Sequence, residues 1–234
     1  MLRQIFLDTE TTGLEIRDGN RIIEIGCVEM IDRKLTHNNY HQYINAGRDS
    51  EEGALKVHGI TTEFLSDKPK FADIAEDFLN YIKGAELIIH NAPFDIGYLD
   101  HELGLAKASV RHVSQVSEVK DSLVLARQLH PGQRNSLDAL CKRYYINNLH
   151  RELHGALLDS EILADVYLAM TGGQKALLLG EETGDDNGAN NMLFNKLNPE
   201  RASLKVLAAS PEELEEHLSY LEGLDAPIDK NLWN

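Results

Sequence analysis

Cysteine is almost missing from this 234-residue sequence: Cys27 and Cys141 are the only two. Two thiols cannot build a disulfide framework, nor a thiolate zinc site. Both sit among apolar residues, as ordinary core thiols do. Basic residues are the second shortage, since 23 Lys or Arg face 38 Asp or Glu, a net charge of −15 with histidines neutral. A protein that grips long stretches of nucleic acid needs many cations to displace counterions, so the balance argues against that class. It leaves room for one that handles a few nucleotides through metal ions. Long apolar runs are the third absence, for nothing approaches the ~20 residues that span a bilayer. Met1-Leu2-Arg3-Gln4 leads to Asp8 without the apolar stretch of a signal peptide. A cytoplasmic protein with no membrane partner is expected.

What the chain does have is core material. Hydrophobic residues make up 42% of it, which excludes wholesale disorder. The length fits one full domain plus a substantial appendage. Gln4-Ile5-Phe6-Leu7-Asp8 is short, apolar and rich in strand formers. Arg21 to Ile31 alternates with Ile23, Ile25 and Cys27 on one face, and Tyr40 to Ile44 alternates too. Phe71, Ile74, Ala75, Phe78 and Leu79 recur at helical spacing, with Gly84 as the stop. Glu86 to His90 is a continuous apolar run bounded by turn formers, hence a buried central strand. Helices are expected from Pro93 onward, over Ser122 to Leu129, Ser136 to Tyr144 and Ala156 to Ala169. Hairpin-linked strands followed by alternating elements imply an α/β fold, a mixed sheet flanked by helices.

Three stretches carry chemistry. In Asp8-Thr9-Glu10-Thr11-Thr12-Gly13 the two acids lie two apart on a strand and so share a face. Carboxylates side by side repel unless a cation lies between them, although a solvated strand end would tolerate them. Gly13 lets the backbone turn sharply after the strand. In His90-Asn91-Ala92-Pro93-Phe94-Asp95 a buried strand ends in polar residues and Asp95 enters the first helical turn. The helix dipole favours an acid there even without a function, yet strand ends are where α/β proteins often place ligands. In His154-Gly155-Ala156-Leu157-Leu158-Asp159 two helical residues five apart would point about 140° away from each other. His154 just before the helix and Asp159 inside it can both reach one cleft. Together the stretches offer four carboxylates and one histidine. That set suits two hard cations, Mg²⁺ or Mn²⁺, that could hold the attacking and leaving oxygens of a phosphodiester. With an ordinary pKa of about 6.5, His154 suits taking a proton from water.

DTETTG at 8–13, HNAPFD at 90–95 and HGALLD at 154–159 resemble the three exonuclease motifs of the DnaQ family, DEDDh class. VHGIT at 57–61, FLSDKP at 64–69 and the run 154–174 resemble its proofreading branch, which serves bacterial replicative polymerases. The resemblance covers residues 1–174 nearly continuously and is looser around 47–56. It implies a ribonuclease-H-like fold with a five-stranded mixed sheet, and a metal-dependent 3′→5′ exonuclease that removes mispaired nucleotides from DNA. Asp8, Glu10, Asp95 and Asp159 would bind the two metals, Asp8 bridging them, with His154 as general base. Asp8, Thr9, Glu10, Thr11, Val57, His58 and Asp159 would contact the 3′-terminal nucleotide of a single-stranded end. For Val57 and His58 the alternatives are a core valine and a surface histidine.

The resemblance also divides the chain. Residues 1–173 would be the exonuclease domain and 174–198 a clamp-binding peptide with a flexible linker. Residues 199–234 would be a tail that binds the polymerase (alpha) subunit. Gln174-Lys175-Ala176-Leu177-Leu178-Leu179 resembles a sliding-clamp-binding peptide, against the alternative of a frayed helix end. The acidic, glycine-containing stretch 181–188 reads as a linker. Ser210-Pro211-Glu212-Glu213 reads as a helix start, ahead of a stripe of Leu214, Leu218 and Leu221 ending at Gly223. Trp233 is a further candidate anchor for a partner. A small stabilising third subunit, found with some family members, is another candidate partner. Two competing functions stand beside this one: an RNA-trimming DEDDh exonuclease, and a mainly structural polymerase subunit.

Overall fold

The computed structural model describes residues 2–148, 153–172 and 209–224. The N-terminal strand formers make β1 (Arg3–Thr11), followed by β2 (Ile22–Ile31), β3 (Lys34–Leu35) and β4 (Tyr40–Tyr43). Two short helices follow, α1 (Glu52–His58) and α2 (Thr62–Leu65), then α3 (Phe71–Ile82), β5 (Glu86–Ile89) and α4 (Ala92–Ala106). The unit continues with β6 (Glu118–Asp121), α5 (Ser122–Leu129), α6 (Leu137–Tyr144) and α7 (Ala156–Thr171). The strands form one mixed sheet in the order β3-β2-β1-β5-β6, with β4 also paired to β2. β1 runs antiparallel to β2 and parallel to β5, and β5 runs parallel to β6.

The period-2 alternation sorts the side chains between two cores. Ile5, Leu7, Ile25, Cys27, Leu87 and Ile89 face one way and pack with α3 and α4. Phe6, Val28, Met30 and Ile88 face the other and pack with residues of α5, α6 and α7. Both cysteines are buried free thiols. The sheet has six strands where five were expected. Lys34–Leu35 is only two residues long and exposed, and Glu118–Asp121 is an edge strand with exposed or half-buried positions. Neither has the apolar signal of a central strand. The helices α1 and α2 were also unforeseen, being short and largely exposed.

The register puts the chemistry at one end of the sheet. Parallel pairing of β1 with β5 stops at Leu7 and Ile89, so Asp8 lies just beyond it. Glu10 pairs across to Glu24 in β2. The β5–α4 junction turns through Asn91, whose φ of 71° is left-handed, and Asp95 falls in the first turn of α4. On the opposite face α7 presses onto β2 at Gly26, where a Cβ would run into the backbone of Ala156 and Leu157. Ser160 Oγ donates to the Gly26 carbonyl at 2.9 Å.

The chain divides into two compact units, Met1–Leu178 and Leu179–Asn234. In the second, the described residues form α8 (Pro211–Leu224). Ser210 Oγ accepts from the Glu213 N–H, while the Ser210 N–H donates to Glu213 Oε2 at 2.8 Å, a reciprocal cap. The helix passes Gly223 by one residue. Leu214, Leu218 and Tyr220 are exposed on it. The expectations for Gln174–Leu179, the linker at 181–188 and Trp233 lie outside the described residues. No helix among the described residues is long and apolar enough to cross a membrane.

Candidate active site

The three motif stretches meet. Asp8, Glu10, Asp95, His154 and Asp159 line one pocket of about 280 Å³. β1 delivers Asp8 and Glu10 on one face, as two residues of a strand must. The first turn of α4 delivers Asp95, and the entry to α7 delivers His154 and Asp159. His154 precedes the N-cap Gly155, and Asp159 sits in the first turn of the helix. Their side chains therefore converge, with His154 Nδ1 3.2 Å from Asp159 Oδ2. One ligand atom each from Glu10, His154 and Asp159 falls within a span of 4.8 Å. A mostly oxygen donor set on that scale fits a hard divalent cation.

Burial sets the electrostatics. Asp95 is only 3% exposed. Desolvation pushes its carboxyl up to about 7, against the pull of the Thr9 hydroxyl, which donates to Asp95 Oδ1 at 2.7 Å. A carboxyl whose folded pKa is raised destabilises the fold as it ionises. In chelator, stability should therefore fall as pH rises from about 4 towards 7, and Asp95→Asn should flatten that fall. Thermal melts from pH 4 to 8 test this, and a wild-type slope unchanged in Asp95→Asn would contradict it. His154 keeps 42% of its side chain exposed, and so reaches solvent, while its N–H donates to the Val57 carbonyl at 3.0 Å.

A second pocket of about 340 Å³ adjoins the first, sharing Thr9, Glu10 and Phe94 with it. Thr11, Leu14, Val57 and His58 line it as well. The bland readings of Val57 and His58 come out reversed: Val57 is 44% exposed and His58 is 4% exposed. His58 Nδ1 accepts the Ile60 N–H at 2.9 Å, and burial lowers the pKa of the ring. So every site residue expected from sequence lines one of two adjoining cavities.

Other lining residues escaped sequence reasoning. Phe94 stands between the cavities and was concealed inside a motif read for its acid. Asp138, two residues after Ser136 at the start of α6, also lines the carboxylate pocket. Its only sequence signal was an acid in a first helical turn. A partly buried network braces the loop after β1. Thr12 Oγ1 donates to Asn20 Oδ1, Asn20 Nδ2 donates to Glu51 Oε1 at 2.6 Å, and the Glu51 N–H donates to the Thr12 carbonyl. Gly13 serves that packing rather than a left-handed turn. A Cβ there would collide with Asn20 and Glu51, and its φ is not positive.

The exonuclease family model RNase_T matches residues 5–167. A DNA polymerase III subunit epsilon of Salmonella typhimurium is 49% identical over 235 residues, covering 99% of this chain and 97% of the relative. The Escherichia coli protein of the same name is 46% identical over the same shares. Among solved structures, exonuclease X in complex with 5′-overhanging duplex DNA superposes with a TM-score of 0.57 at 30% identity. That match covers 74% of this chain and 95% of the other. The mixed sheet with helices on both faces is thus the ribonuclease-H-like fold. With its motif acids gathered at the end of β1 and its likeness running nearly end to end, the chain belongs to the RNase_T exonuclease family and, within it, to the DNA polymerase III epsilon subunits.

Proposed function

We propose that this chain is a 3′→5′ exonuclease that removes mispaired nucleotides from nascent DNA as the proofreading subunit of a replicative polymerase. The observation that carries the reading is the convergence of Asp8, Glu10, Asp95, His154 and Asp159 on one pocket. The near full-length kinship with epsilon subunits supports it. The four carboxylates would hold two divalent cations, Mg²⁺ or Mn²⁺, which would supply charge stabilisation to the attacking and leaving oxygens of a phosphodiester. Thr9 fixes Asp95 in that set by its hydrogen bond. His154, reachable from solvent and oriented by Asp159, takes the proton of the attacking water. The adjoining cavity receives the terminal nucleotide, with Val57, His58 and the Thr9–Thr11 backbone against it and Phe94 as the shared wall.

A site that admits one terminal phosphodiester needs that nucleotide unpaired. Mismatched ends fray more readily, so selectivity begins before binding. No basic groove is required if a polymerase subunit holds the duplex, and the charge of −15 is then compatible with a nuclease. Residues 199–234 supply the contact with the polymerase (alpha) subunit, and Gln174 to Leu179 the contact with the sliding clamp. The exposed Leu214, Leu218 and Tyr220 of α8 are apolar material for the first of these.

The test is a labelled single-stranded DNA with Mg²⁺, run beside an RNA of the same sequence. Stepwise loss from the 3′ end of DNA, stopped by chelator, is expected. No cleavage with Mg²⁺ or Mn²⁺ would reject the reading, and a faster rate on RNA would favour the RNA-trimming alternative.

A further inference from the structure

The helix that carries Asp159 and follows directly on His154 starts without a side-chain cap of its own. Gly155 occupies the N-cap position and has no side chain to offer, although the first amides of a helix lack intrahelical partners. The Ala156 N–H donates across the fold to Glu24 Oε2 at 3.1 Å. Glu24 lies on β2, directly opposite Glu10 on one side and Tyr43 on the other, and is 2% exposed. Its other oxygen, Oε1, lies 2.7 Å from His41 Nε2, and His41 reaches the surface of β4. A buried carboxylate thus spans from an edge strand to the first amide of the catalytic helix, two residues after His154 and three before Asp159.

We propose that Glu24 is a positioning residue for the hydrolytic site, acting through the Ala156 amide to set the entry of α7 and with it the orientation of His154. Two further contacts make the entry a tight seat. The His154 N–H is held by the Val57 carbonyl, and Gly26 lets the helix backbone lie directly on β2. Glu24 supplies what neither of these does, a side-chain acceptor for the first amide of the helix, and the Ser160 hydroxyl on the Gly26 carbonyl steadies the turn that follows. A carboxylate near the helix N-terminus also suits the helix dipole. This role goes beyond the motif residues and rests on the exonuclease reading only for its kinetic consequence.

The experiment compares full-length wild type, Glu24→Gln and Glu24→Ala. The glutamine amide oxygen can still accept from Ala156 while its NH₂ faces His41, so it should stay within about threefold of wild type. The alanine variant should lose roughly 10- to 100-fold in kcat, the range for removing an outer-layer partner of a metal site, with KM for single-stranded DNA little changed. In ¹H–¹⁵N spectra the Ala156 amide should exchange with solvent at least about tenfold faster in Glu24→Ala alone. The His154 ring resonances should move in that variant as well. Wild-type kcat in Glu24→Ala, or equal losses in both variants, would overturn the proposal. So would a loss in Glu24→Ala with the Ala156 and His154 signals unmoved. If wild type itself fails to cleave, the exonuclease reading falls, and the Ala156 and His154 signals still decide the Glu24 contact.

Discussion

Asp8→Ala is expected to lower hydrolysis of a DNA 3′ end by at least about 10³-fold, since one divalent-cation site supplies several kcal/mol of transition-state stabilisation. Asp8 reaches the pocket from the central strand β1, whose neighbours on both sides hold it in register. His154→Ala should cost about 10²- to 10⁴-fold, the usual contribution of a positioned general base. The two variants should differ in kind. Cation binding, read by calorimetry with Mn²⁺, should weaken more for Asp8→Ala than for His154→Ala. The rate of His154→Ala should recover partly as pH rises and hydroxide replaces the lost base. If both variants kept wild-type rates with Mg²⁺, hydrolysis would not run through this pocket and its assignment as the active site would fall.

The second large effect concerns the other compact unit. Deleting residues 180–234 should leave single-strand hydrolysis within about twofold, because every site residue lies before Gly172 in a unit with two cores of its own. The same deletion should abolish co-purification with the polymerase subunit. Within the tail, α8 exposes Leu214 and Leu218 on consecutive turns, the spacing of a helix that inserts apolar side chains into a groove. Replacing both by Asp should weaken the association at least about tenfold, since each buried leucine contributes about 1.5 kcal/mol or more. A chain of residues 1–179 that still bound the polymerase would refute this division of labour.

The architecture was legible wherever burial imposes a period. The alternation of Ile23, Ile25 and Cys27, the apolar run at 86–89 and the helical spacing from Phe71 each became the expected element. Such patterns reflect side chains with a core to face. Glu118–Asp121 faces little core, so its pairing with β5 left only Val119 as a hint. The site was legible for a different reason. Its carboxylates stand at strand and helix ends, where a buried acid without a partner would be costly. Glu24 shows where this failed. It sits in an apolar strand and looks like an ordinary alternating polar residue, while its 2% exposure depends on α7 arriving from 132 residues away. No local pattern encodes that arrival. Gly13 shows the same limit, since a glycine that avoids a collision reads like a glycine that makes a turn.

The chain order of the site has a consequence for synthesis. β1 leaves the ribosome early with Asp8 and Glu10, but α7, the last described element of its unit, holds Asp159, and His154 lies just ahead of it. That helix also completes the second core against Phe6 and Met30. A nascent chain that ends before His154 has three of the five site residues and a face of its sheet only partly covered. Completion of the site and closure of the fold are therefore reached in the same event, and a nascent chain that stops short of Asp159 is expected to lack nuclease activity.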